Sequence, residues 1–244
     1  MVGIDYNEKT KAHSCKIEND IMAGTESFPL AHTRQAGRTG GSCMITPTEA
    51  DMELKAGAQL CPGPWEQHSR SVARNARSIA EKTGCMDCDK AYVMGLLHDI
   101  GRRAGIKGIL HIFDGYDYMM SLGQEEIARI CLTHSFPLKD VNTFFGKYDC
   151  SPEQKEFLRE FLEHTEYDDY DILIQLCDAI SLPKGACIME KRLVDVALRH
   201  GLPDFTLDKW KAFMYTKKHF DELCGCSIYA FLPGVLENSS VNLV

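Results

Sequence analysis

The chain has 244 residues, 44% of them hydrophobic and 25% charged, with a formal net charge of −8. This is globular composition in a length that builds one domain, with or without extensions. The acidic balance argues against a nucleic-acid polymer or an anionic membrane as the main partner. Any phosphate the protein handles would need a local positive centre, such as a metal ion or arginines.

No stretch approaches the roughly 20 apolar residues of a membrane span, and the opening "MVGIDYNEKTKAHSCKIEND" lacks the apolar core of a secretory signal. The 11 cysteines are scattered, several as single small residues within predicted helices (Cys131, Cys177, Cys187). That usage suits a reducing compartment, so a cytoplasmic location is expected. Cys85 with Cys88, and Cys224 with Cys226, form two distant pairs; they read as free thiols rather than as a zinc knuckle.

Residues 1–43 show no hydrophobic period, and "AHTRQAGRTGGS" is polar and glycine-rich, so a poorly ordered extension is expected there. A helical domain is expected over 44–240. Thr46, Pro47 and Glu49 form a helix start, and "CPGPW" is a break. Trp65 to Thr83 carries the stripe Val72, Ala76, Ile79 and Ala80 and stops at Gly84. Lys90 to Ile100 is the next predicted helix, with Gly101 at the position of a left-handed cap. Helices are predicted over Ile109 to Leu122 and Gln124 to Thr133. "SPEQ" at Ser151 opens another, with Phe157, Leu158, Phe161 and Leu162 following. Tyr170 to Leu182 is apolar and ends at Pro183. Glu190 to His200 and Leu207 to Leu223 complete the series. Alternating strand runs are nearly absent, so the fold class is all-α.

Several polar side chains sit on faces where apolar ones are expected. His68 precedes Val72 by four residues and continues its stripe. His134 ends the series Ile127, Ile130, Cys131. His98 and Asp99 close a core helix, and Asp178 follows Ile174 by four inside "ILIQLCDAISL". Burying an ionised carboxylate costs several kcal/mol unless it is paired or bound to a metal. A lone inward His is commonly a hydrogen-bonded core residue. Here the anomalies fall on separate helices and share one donor chemistry, imidazole plus carboxylate, which suits Fe, Mn, Co or Zn.

The ordered set "WEQHSRSVARNARSIA", "LLHDIGR", "CLTHS" and "LIQLCDAISL" resembles the HD superfamily of metal-dependent phosphohydrolases, from about Met44 to Pro183. The resemblance implies an all-helical HD-domain bundle in which His68, His98, Asp99 and Asp178 bind one metal that carries a hydrolytic water. "ILHIFDGYDYMMSLGQEEIARICLTHS" is similar to the corresponding stretch of bacterial HD-type hydrolases of diadenosine tetraphosphate. It departs from them at Tyr116, Asp117 and Pro137.

His111 and His134 then join the ligand candidates, so one or two divalent ions are expected, iron or manganese by preference. Arg102, three residues after Asp99, is a candidate phosphate clamp; its alternative is a solvated helix-end cation. Arg103, Lys107 and Lys184 are further substrate-binding candidates. His13, His32, His164, His200 and His219 read as surface residues, and Trp210, Phe213 and Phe220 as core or dimer packing.

The leading expectation is therefore a phosphohydrolase of a nucleotide or other small phosphate ester, with Asp99 and Arg102 in catalytic roles. It would work without membrane or nucleic-acid partners, and a homodimer is compatible with it. The same six His/Asp residues also resemble the overlapping signature of HD-fold di-iron oxygenases, and a metal-binding sensor without turnover is the third reading.

Overall fold

A computed structural model of the chain describes residues 44–240. The expected disorder of 1–43, and His13 and His32 with it, lies outside those residues. The described residues form ten α-helices: α1 (Pro47–Leu60), α2 (Trp65–Thr83), α3 (Cys88–Leu97), α4 (Leu110–Ser121), α5 (Glu125–Thr133), α6 (Pro152–His164), α7 (Asp169–Ala179), α8 (Met189–His200), α9 (Thr206–Cys224) and α10 (Val235–Ser239). The all-α expectation holds. No helix among the described residues is long and apolar enough to cross a membrane.

Local signals account for most boundaries. Thr46 and Glu49 form a reciprocal capping box before Pro47, and Ser151 with Gln154 does the same before Pro152. Gly84 closes α2 in the left-handed conformation. One apolar run ends early. The helix expected over Tyr170 to Leu182 stops at Ala179, and Ser181–Leu182 pairs antiparallel with Gly185–Ala186. Pro183, which has no N–H to donate, sits in the intervening turn.

The predicted helix from Lys90 to Ile100 is also revised. α3 begins at Cys88, behind an Asp87 cap that accepts from Asp89 N and Lys90 N, and ends at Leu97. A 3-10 turn, Ile100–Ala104, follows. Gly101 is not a left-handed cap, since it is absent from the glycines with positive φ. Its lack of a side chain serves contact instead. A Cβ there would stand 1.9 Å from His111 O and 2.4 Å from Gly115 N, so only glycine lets α4 press against this turn.

Gly95 does the same one turn earlier, where a Cβ would lie 2.8 Å from Ala73 Cα in α2. The core between these helices is fully buried and includes Val72, Ile79, Met94, Leu96, Leu97, Ile130, Leu173 and Ile174. Polar bonds inside it set the register of α5 against α7. Thr133 Oγ1 donates to Asp171 Oδ1 at 2.7 Å, and Gln175 Nε2 donates to Thr133 O at 3.0 Å. Such buried bonds cost more to leave unmade than they gain when made, so they specify this pairing.

Candidate metal centre

The contacts through Gly95 and Gly101, together with the α5–α7 register, help carry the ends of five helices to one place. His68 comes from α2, His98 and Asp99 from the exit of α3, His111 from the first turn of α4, His134 from the end of α5, and Asp178 from α7. The His68 and His98 ring centroids are 5.5 Å apart, those of His98 and His134 5.0 Å, and those of His111 and His134 5.7 Å. All six predicted ligand candidates are thus neighbours.

Three of the imidazoles share one orientation. His98 Nδ1 donates to Gly95 O at 2.8 Å, His111 Nδ1 to Gly108 O at 2.6 Å, and His134 Nδ1 to Ile130 O at 3.1 Å. A backbone carbonyl accepts only, so the ring proton belongs on Nδ1 and each Nε2 keeps its lone pair. Those Nε2 atoms face Asp99. His111 Nε2 is 3.2 Å from Oδ1, His134 Nε2 is 3.7 Å from Oδ1, and His98 Nε2 is 3.9 Å from Oδ2.

Asp99 Oδ1, His98 Nε2 and His111 Nε2 are buried without a hydrogen-bond partner. Donor atoms held about 2.0–2.2 Å from one cation lie roughly 3–3.5 Å from each other, close to several of these spacings. The residues present therefore fit a divalent ion. Two groups bring their donor atoms within 4.8 Å of one another: His68, His98 and Asp178, and His98, Asp99 and His134. Cys85, Cys88, Cys224 and Cys226 form no disulfide.

Protonation agrees with that donor set. Burial pushes His98 down from its ordinary value and His134 down to about 3, so both rings are neutral. Burial would raise Asp99, but the Arg102 guanidinium outweighs it and holds the carboxyl well below the usual range. For Asp178, burial is likewise outweighed, by the hydrogen bond from His68 Nε2 to Oδ1 at 2.8 Å. At His98, His134 and Asp99, neutral imidazoles and an anionic carboxylate are the state a divalent ion binds without displacing protons.

The centre opens into a cavity of about 670 Å³, a volume suited to a substrate larger than a single phosphate. Arg102 lines it, with Nε donating to Asp99 Oδ2 at 2.5 Å. The other predicted cations do not line it. Arg103 stacks over the Tyr118 ring at 3.7 Å, Lys107 Nζ pairs with Asp114 Oδ2 at 2.7 Å, and Lys184 is exposed in the turn of the small hairpin.

The cations in their place are Arg192 and Arg199 of α8 and Lys209 of α9. His200, read as a surface residue, is exposed but also borders the cavity. Lys209 is buried, and its Nζ donates to Ser135 O at 2.9 Å and Thr143 O at 2.8 Å, tying α9 to the loop after His134. A signal for it existed, because Lys209 precedes Phe213 by four residues and shares its stripe with Phe220. Asp149 was also unforeseen. It accepts from Gly108 N and Leu110 N, and so holds the start of α4 where His111 needs it.

A buried cluster of histidines and carboxylates, gathered from helix ends beneath an open cavity, gives this helical domain a mixed-donor set that could hold a metal ion. Residues 65–182 match the family described as HD domain. That segment is thus similar to a domain typical of metal-dependent hydrolases. Comparison with curated proteins and with solved structures gives no match.

Proposed function

We propose that this protein hydrolyses a nucleotide or another small phosphate ester in a metal-dependent reaction. The observation that carries the reading is the convergence of His98 Nε2, His111 Nε2 and Asp99 Oδ1, buried and unpartnered, beside a guanidinium that lines the cavity. His68, His98, Asp99, His111, His134 and Asp178 would hold the ion or ions. A bound divalent ion, iron or manganese by preference, lowers the pKa of a water and polarises a phosphoryl oxygen.

The chain's own residues do the rest. The carbonyls of Gly95, Gly108 and Ile130 hold three imidazoles in one tautomer. Arg102 keeps Asp99 ionised through Nε and offers its terminal nitrogens to a phosphoryl oxygen. Asp99, held as a carboxylate, is the group placed to orient the attacking water. The apolar wall of Trp65, Phe144 and Phe213 limits solvent around the ester.

The test is metal analysis of protein purified with and without air, coupled to phosphate release from a panel of nucleotides that includes diadenosine tetraphosphate. Phosphate release that follows metal content supports the reading; metal-loaded protein inert on the whole panel overturns it. A second reading, a di-iron oxygenase, is favoured by the presence of all six His/Asp residues in one cluster. The arginines lining the cavity favour hydrolysis over it, and an oxygen-sensitive iron centre with no phosphate release would reverse that order.

A further inference from the structure

Helix α8 lies beyond the matched segment 65–182, yet it supplies one wall of the cavity. Arg192, Asp195 and Arg199 fall at i, i+3 and i+7, on one stripe of that helix. Arg192 Nη1 donates to Asp195 Oδ2 at 2.9 Å, and Arg199 Nη2 donates to the same oxygen at 2.8 Å. One carboxylate oxygen thus holds two guanidinium groups side by side, and all three residues line the cavity. Two positive charges against one negative leave this stripe net cationic. Arg192 Nε is buried with no hydrogen-bond partner, so the fork still has a donor to give. At the far end, His200 stands 6.5 Å from the Phe145 ring, which is 5.0 Å from Phe205.

We propose that α8 is a second anion-recognition wall, on which Arg192 and Arg199 take a phosphate other than the one at the His/Asp centre, so that the chain selects substrates with two or more linked phosphates. The substrate preference rests on the phosphohydrolase reading, whereas the anion site does not need turnover. Guanidinium forks match phosphate oxygens two at a time, which a single Lys does not. Asp195 then has two effects. It positions both arginines, and its carboxylate competes with the incoming phosphate for the same donors.

The experiment is calorimetric titration of protein stripped of metal and chelator, with sodium tripolyphosphate and with orthophosphate as probes. Tripolyphosphate is expected to bind at least about tenfold more tightly than orthophosphate, and Arg192→Gln with Arg199→Gln to remove about tenfold or more of its affinity. Asp195→Asn, which keeps the shape and removes the competing charge, is expected to tighten tripolyphosphate binding. Circular dichroism checks that each variant is folded. Wild-type affinity in the double arginine variant, or weaker binding in Asp195→Asn, would overturn the proposal.

Adenosine triphosphate in the same titration separates a nucleotide from a bare chain. Extra affinity lost in Phe145→Leu marks a base on the aromatic shelf, equal affinities mark the bare chain, and either keeps the wall. Persistence of this binding in a protein that hydrolyses nothing would remove the phosphohydrolase reading alone.

Discussion

His111 Nε2 lies 3.2 Å from Asp99 Oδ1, and in the neutral tautomer that donates Nδ1–H to Gly108 O both atoms are acceptors. The His111 proton is committed to Gly108 O through Nδ1, so nothing between the ring and the carboxylate is shared. Two buried acceptors at that distance repel unless a cation stands between them. In that tautomer the metal-free centre carries an unrelieved repulsion, which yields the first prediction.

Metal binding is expected to stabilise the folded chain strongly. At a free-ion concentration about 100 times Kd the gain is about 2.7 kcal/mol, read as a rise in Tm on adding Mn²⁺ or Fe²⁺ to stripped protein. His98→Ala is expected to abolish the rise. The six-residue cluster predicts about two ions per chain, and His111→Ala about one. Metal analysis showing an unchanged stoichiometry in His111→Ala would place that ring outside the ligand set.

Gly101→Ala is expected to cost at least about 3 kcal/mol, because the added Cβ meets the backbone of His111 and Gly115 rather than a side chain that can swing away. The displacement falls on His111, so metal content is expected to drop with stability. A variant with near wild-type Tm and full metal content would contradict the close approach of α4.

Arg102→Lys retains the charge but loses the planar fork. A fall in kcat/KM of about tenfold to a hundredfold on phosphate esters is expected, carried largely by KM if the terminal nitrogens bind ground-state phosphate. Steady-state kinetics on metal-replete protein decides this, and unchanged kcat/KM would return Arg102 to the role of a helix-end cation that holds Asp99.

Lys209 gives a pH prediction. Burial lowers its folded value from 10.5 to about 7. Between those values the unfolded chain holds a proton that the folded chain does not, so stability from this group rises with pH by about 1.4 kcal/mol per unit, and the dependence flattens below about 7, where both states are protonated. Unfolding of wild type and Lys209→Met compared from pH 7 to 8.5, below the thiol range, isolates the contribution. The variant is also expected to be less stable throughout, since Ser135 O and Thr143 O lose their donor. Parallel pH curves for the two proteins would exclude the linkage.

The sequence was most informative where chemistry and periodicity conflict locally. His68 ahead of Val72, His134 after Ile130 and Asp178 after Ile174 each break an apolar stripe within four residues, and the cost of burying such groups is visible without coordinates. The capping boxes at Thr46 and Ser151 are equally local, because their hydrogen bonds close within three residues. Gly101 shows the limit of that kind of reading. A glycine after a helix is expected in the left-handed region, but its reason here is the backbone of α4, ten residues and more away.

What the sequence by itself determined is therefore the all-helical class, the polar breaks in apolar stripes at His68, His134 and Asp178, and Arg102 three residues after Asp99, all through spacings of three or four residues; His111 entered through the resemblance. Tertiary structure alone decided which other cations reach the cavity. Arg192, Arg199 and Lys209 line it while Arg103, Lys107 and Lys184 do not. An amphipathic helix states how its charges lie relative to its own apolar stripe, and says nothing of what it will be packed against. The facing of α8 and α9 toward the centre is set by contacts such as Lys209 to Ser135 O, across 74 residues of chain. Bonds of that range form only once the core has brought the segments together, so no local pattern encodes them.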